Sequence, residues 1–230
     1  MNVARTKGFA LSLILTLAVA SGTVVQAGSI TNGNFTPTGA SIVYGGGTVD
    51  WTGGQYGYQP TGFGWDFTGG AGVQQNGSAW GFSAAPGAGQ SAFLQSYNGS
   101  QNVGKAQTSS ISQDLSGLTN GQQYTLSFDL SNRPGYGAQT VTVTIDGVTF
   151  TILPTSNSWT EYYETFTYNG GPEDLTFSVT DPPTGTYDYD TGLADISIAE
   201  TPEPGTLLLF GSGLLGFAGL ARRKFASRNA

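Results

Sequence analysis

The chain has no cysteine and no histidine among its 230 residues. Without cysteine there are no disulfides and no thiol nucleophile, and without histidine there is no Ser-His-Asp triad, no zinc site of ordinary type and no imidazole for proton transfer near neutral pH. Charge is scarce too, with 8 basic and 15 acidic side chains placed unevenly. Arg5 and Lys7 lie near the start, and Arg222, Arg223, Lys224 and Arg228 near the end, so only Lys105 and Arg133 fall between. Residues 28–201 therefore carry 2 basic against 14 acidic groups, a net of −12, which repels polyanions and excludes nucleic acid as a partner. Sustained helical periodicity is also missing between residues 28 and 200. What the chain does have is 36 glycines, 12% aromatic residues and 38% hydrophobic residues, enough to bury the core of one domain.

The two ends read as addresses rather than fold. Residues 1–27 begin with Arg5 and Lys7, continue with the apolar run Phe9 to Ala20 and close on Val25-Gln26-Ala27, the layout of a secretory signal peptide cut by signal peptidase after Ala27. The 12 residues of that run reach only about 18 Å as a helix, short of a ~30 Å hydrocarbon core. At the other end, residues 201–230 contain Pro202-Glu203-Pro204, an apolar span 206–221 and the basic cluster Arg222, Arg223 and Lys224. That cluster acts as a stop-transfer signal and stays cytoplasmic, which leaves residues 28–200 on the far side of the inner membrane. A span of 16 residues covers about 24 Å, so its flanking cations must snorkel and its membrane residence is transient. Gly211 to Gly216 matches the dinucleotide-binding spacing, but no strand and no βαβ unit surround it.

Pro202-Glu203-Pro204, the short Gly- and Leu-rich span and the terminal arginines together resemble the PEP-CTERM sorting signal of Gram-negative bacteria. The resemblance covers about the last 30 residues. It implies recognition by an exosortase, processing near Pro204, and production alongside exopolysaccharide at the cell surface or in the extracellular matrix.

Between the ends, the pattern has period two. Tyr124, Leu126, Phe128 and Leu130 alternate with Thr125, Ser127, Asp129 and Ser131, and Val141, Val143 and Ile145 repeat the rhythm before an Asp146-Gly147 turn. Val148 to Leu153 forms the returning strand, and Trp159–Tyr168, Leu175–Val179 and Leu193–Ile198 add three more. Short strands between frequent turn signals predict an all-β body, a jelly-roll β-sandwich over residues 28–200. The half before Gly104 is richer in glycine and carries eleven aromatics between Tyr44 and Tyr97; glycine weakens strand propensity there, and long aromatic-bearing loops are expected.

Three landmarks, Ile30 to Phe35, Gln113 to Phe128 and Leu193 to Ile198, resemble galactose-binding-domain-like jelly rolls, a family that includes many carbohydrate-binding modules. Members often place acidic ligands for a structural calcium after the first landmark and before the last strand. Thr36 and Ala194 occupy those places here, so no metal and no cofactor is expected, and Asp188, Asp190 and Asp195 read as solvated loop carboxylates.

An enzyme without histidine would rely on carboxylates, as glycoside hydrolases do. Glu161 and Glu164 are the tempting pair, but their odd separation in a strand puts them on opposite faces. Asp50, Asp66, Asp129 and Glu173 remain as candidates, and the reading is non-catalytic. Glycan binding has the better physical basis, because apolar sugar faces stack on aromatic rings while hydroxyls bond to amides and carboxylates. Trp51, Trp65, Trp80 and Tyr97 are the candidate ligand residues. Against this, alternation places Phe63, Trp65 and Phe67 on one face, which suits a core. Extracellular polysaccharide is the expected partner, and the alternative is a matrix or surface-layer scaffold that needs no small ligand.

Overall fold

The structure is a computed structural model that describes residues 29–36, 42–44, 47–49, 55–87, 90–97, 108–180, 188–201 and 212–213. The described strands are β1 (Ile42–Tyr44), β2 (Gly47–Val49), β3 (Tyr56–Tyr58), β4 (Asp66–Thr68), β5 (Gly70–Gln75), β6 (Gln90–Tyr97) and β7 (Thr108–Asp114), followed by β8 (Gln123–Asn132), β9 (Val141–Ile145), β10 (Val148–Ile152), β11 (Thr160–Thr167), β12 (Asp174–Thr180) and β13 (Asp188–Glu200). β1 and β2 form a hairpin; the others build two antiparallel sheets, β10-β9-β12-β7-β4 and β11-β8-β13-β6-β5-β3. The body is thus an all-β sandwich.

Alternation decides which side chains enter it. Tyr124, Leu126, Phe128 and Leu130 of β8 share one core with Val141, Val143 and Ile145 of β9 and with Leu175, Phe177 and Val179 of β12. Burying such side chains yields roughly 1.5–3 kcal/mol each and drives the closure of one sheet on the other. Asp146 and Gly147 both take positive φ, 51° and 72°, and Val148 pairs directly with Ile145. That is the mirror-image turn whose twist matches a two-residue hairpin.

Order in the glycine-rich half comes from elsewhere. Phe63, Trp65 and Phe67 all point into the core, as their alternation predicts. Gln113, an inward-facing amide of β7, accepts from Thr31 N–H at 2.7 Å and donates to Thr31 O at 2.9 Å and Gly64 O at 2.6 Å. Asn32 donates to Phe63 O and accepts from Thr36 N–H, while Ile196 N–H donates to Gly33 O at 3.2 Å. A Cβ on Gly33 would lie 3.0 Å from the Ile196 carbonyl carbon, so only glycine fits there. The three sequence landmarks, distant along the chain, therefore meet in space. At Leu193–Ile198 the pairing of β13 with β8 slips between Ala194 and Ser197, a bulge that puts Asp195 at φ 48°.

Ala27, Trp51, Pro202, Glu203, Pro204, Arg222, Arg223 and Lys224 lie outside the described residues. Of the span 206–221 only Ser212 and Gly213 are described, both helical and exposed. Among the described residues no helix is long and apolar enough to cross a membrane.

Candidate functional site

The outward face of the six-stranded sheet carries a second, smaller apolar cluster. Register aligns Tyr58 of β3, Gly72 of β5, Phe93 of β6, Gly192 of β13 and Ser131 of β8 in one row. A Cβ on Gly72 would come within 2.5 Å of the Phe93 ring, and one on Gly192 within 2.6 Å of Trp159 and 3.1 Å of Phe82. Glycine on either side lets aromatic rings lie down on the sheet, the use to which strand glycines are commonly put. Trp80, Phe82 and Phe93 are buried together there, with Trp159 against them.

The segment between β5 and β6 brings Trp80 and Phe82 onto this row. Ser78 donates to Gln74 Oε1 at 2.6 Å, Gln74 donates to Ser91 at 3.0 Å, Asn76 Oδ1 accepts from Ala85 N–H, and the Trp159 indole N–H donates to Ser83 O at 3.0 Å. Trp80 then packs on Phe93 at 4.5 Å between ring centroids. Tyr56 and Tyr58 meet the Trp80 ring edge-on at 5.3 and 6.2 Å. Both tyrosines remain exposed, 45% and 39%, whereas Trp80 is 4% exposed.

Arg133 completes the site. Among the described residues it is the only cation. Its guanidinium lies 4.3 Å from the Trp80 ring centre and 3.9 Å from that of Tyr136, within cation–π reach of both rings. Nη1 bonds Asp188 at 3.1 Å and Asp190 at 2.9 Å. From there a chain of bonds runs outward: Gln95 donates to Asp188 Oδ1 at 2.6 Å, and the Tyr58 hydroxyl donates to Gln95 Oε1 at 2.6 Å. Tyr56, Tyr58, Ala79, Trp80, Gln95, Arg133 and Asp188 enclose a recess of about 160 Å³. It is smaller than the ~300 Å³ at which ordinary ligand pockets begin, so it admits one ring rather than a chain segment.

Electrostatics at the site follow from burial. Asp190 is fully buried and its Oδ1 has no hydrogen-bond partner; burial pushes its carboxyl up to about 8, against the lowering pull of the Arg133 bond. Tyr58 is pushed up to about 12, first by burial and then by the negative charge of Asp190. Burial works against the charge of Arg133, yet the bond and charge of Asp190, with Tyr136 and Asp188 added, together outweigh it and hold the guanidinium above its ordinary value. The tyrosine keeps its proton, so the recess presents fixed donors and acceptors beside aromatic rings.

Of the sequence candidates, only Trp80 lies in this site with its side chain described. Trp65 is 5% exposed; it packs on Phe35 and Phe177 and donates its indole N–H to Asn32 O. Tyr97 ends β6 opposite Asp188. Sequence reasoning missed Tyr56, Tyr58, Phe93 and Gln95, and it placed Asp188 and Asp190 in solvent, where the fold pairs both with Arg133 and buries Asp190 fully. That Arg133 is the only arginine between residues 28 and 201 was the available signal. Glu161 faces Asp129 across β8 while Glu164 faces Leu126, so the two glutamates do take opposite faces. Asp129 is held above its usual range by burial and then by Glu161 and Asp195.

Among solved structures the chain is similar to the module TmCBM61 in complex with β-1,4-galactotriose, at 12% identity and a TM-score of 0.40 over 60% of this chain and 88% of that one. It is similar to the CBM22-1 xylan-binding domain from Paenibacillus barcinonensis at 14% identity and a TM-score of 0.40, covering 65% of this chain and 97% of that one. It is also similar to a family 11 carbohydrate-binding module from Clostridium thermocellum, in complex with a β-1,3-1,4-mixed-linked tetrasaccharide, at 12% identity and a TM-score of 0.34, covering 58% and 86%. No curated protein matches the chain. The model of the PEP-CTERM protein-sorting motif matches residues 200–224, and the chain therefore ends in an exosortase recognition signal that follows an all-β sandwich.

Proposed function

We propose that this is an exported, non-catalytic protein whose jelly-roll body, residues 28–200, binds a neutral extracellular polysaccharide. Signal peptidase releases the start after Ala27, the span 206–221 holds the chain in the inner membrane for a time, and an exosortase processes the tail near Pro202-Glu203-Pro204. The chain then resides at the cell surface or in the matrix. The observation that carries the binding reading is the recess beside Tyr58, where the rings of Tyr56, Tyr58 and Trp80 line the same space as the bonded group Gln95, Asp188 and Arg133. Sugars need this combination, since their C–H faces pack on aromatic rings while their hydroxyls replace water on fixed polar groups.

A glycan array, together with native gels containing xylan, β-1,4-galactan or mixed-linkage β-glucan, tests the reading on the full-length chain. Retardation in at least one gel is expected, and Tyr58→Ala should weaken it about tenfold by removing one aromatic wall. A blank array with unretarded gels overturns glycan binding and leaves a matrix scaffold. Release of reducing ends from the retained polysaccharide overturns the non-catalytic reading.

A further inference from the structure

The outward face of the five-stranded sheet has an unusual composition. One row across its strands reads Thr149, Thr144, Thr176, Ser112 and Asp66, in register from β10 to β4. The next row reads Thr151, Thr142, Ser178, Ser110 and Thr68. Nine of these ten side chains are hydroxyls and none is aromatic, aliphatic or cationic. With strands ~4.8 Å apart and alternate residues ~6.8 Å apart along each strand, the rows form a grid about 19 Å across. Neighbouring hydroxyls bond within the grid, as Thr68 does with Ser110 at 2.7 Å.

At its β4 edge the grid runs into a recess of about 640 Å³, within the ~300–1,000 Å³ range of ligand clefts. Asp66, Ser112 and Asp114 line it on the sheet side, and Gln59, Pro60 and Thr61 close it from the segment that joins β3 to β4. Both carboxylates are exposed. Asp66 pairs with Ser112, and Asp114 lies two residues further along the same strand, so the two acids are diagonal neighbours on one face.

We propose that this recess and the hydroxyl rows leading from it bind a second chain of neutral polysaccharide, so that one protein molecule bridges two polysaccharide chains. Charge and chemistry select the occupant. A polyanion is repelled by Asp66 and Asp114 on a body of net −12. A protein partner needs exposed apolar or aromatic anchors in its central contact; the rows offer none, and the Trp65 and Phe67 rings that also line the recess are buried. A polyol suits the surface, because each carboxylate accepts charge-assisted bonds from sugar hydroxyls, roughly twice as strong as neutral ones. Register points the hydroxyl rows away from the core on one sheet and Tyr58 away from it on the other, so the two contacts face opposite directions. The bridging half of this inference rests on the glycan-binding reading of the Tyr58 face; the second contact does not.

The test uses the full-length chain mixed with xylan, β-1,4-galactan or mixed-linkage β-glucan, following gel retardation and, by light scattering, the growth of polymer aggregates. Wild type should be retarded and should enlarge the scattering particles. Asp66→Ala with Asp114→Ala, and separately Thr61→Trp to fill the recess, should leave retardation through the Tyr58 face but reduce aggregate growth at least tenfold. Tyr56→Ala with Tyr58→Ala should also stop aggregation while the second contact still retards the chain. Aggregation that survives both recess variants overturns the proposal, as does complete loss of retardation from the tyrosine variants alone. Retardation lost only in the recess variants keeps the second contact and removes the Tyr58 reading, whereas no retardation of wild type removes both.

Discussion

Asp190 shows how far a residue's fold can depart from its reading in sequence. In a run of Asp, Tyr, Thr and Gly it looks like a solvated loop carboxylate, yet it is fully buried in β13 with one oxygen on Arg133. Because burial raises its carboxyl from 3.8 to about 8, the folded chain keeps a proton that the unfolded chain releases near pH 4. Stability from this group is therefore greatest in acid and falls as pH rises from about 4 to about 8. Asp190→Asn removes the titration and keeps an acceptor for Arg133. Its melting temperature should change less than that of wild type across this range, so the variant gains on wild type as pH rises; parallel curves would contradict the assignment.

Elements with a clean period-two pattern were legible. The strands predicted around Tyr124–Leu130, Val141–Ile145, Val148–Leu153 and Leu175–Val179 correspond to β8, β9, β10 and β12, because each buries one face and wets the other. β7 gave no such signal, since its inward residues Ser109 and Gln113 are polar and its one large apolar residue is Ile111. Those inward polar groups are bonded instead, Gln113 to the Thr31 segment and Ser109 to Gln95 O. β5 and β6 lay in the glycine-rich half where propensity argued for loops, yet there glycine makes room for rings. Gly72→Ala should accordingly collide with the Gly57 carbonyl of β3 as well as the Phe93 ring and cost about 1–3 kcal/mol, read as a lower urea midpoint with unchanged slope. A neutral result would mean that neither the ring nor the β3–β5 pairing depends on that space.

At the scale of the whole molecule, the last described strand, β13, ends at Glu200, where the match to the sorting motif begins. Thr201 N–H donates to Gln123 O at 2.9 Å and its hydroxyl meets Thr125 at 3.0 Å, and among the described residues those of the core all precede it. A chain ending at Thr201 should therefore unfold cooperatively at the same temperature as the full-length chain, measured by circular dichroism. A lowered midpoint would show that residues 202–230 contribute to the body.

The sequence alone determined the class of the body and the address at the tail. Alternation is a local property readable residue by residue, and the tail pattern is a contiguous string of tripeptide, apolar span and basic cluster. Charge balance was equally local, and the expectation that the body repels polyanions came from it without any knowledge of shape. The candidate site was decided only by tertiary structure, because its parts come from β3, the segment after β5, β6, the turn after β8 and β13. No spacing in the chain records that Tyr58, Trp80, Gln95, Arg133 and Asp188 converge, since strand pairing across up to 93 residues brings them together. The hydroxyl rows have the same origin: each strand contributes two ordinary outward residues, and only lateral register turns them into a surface.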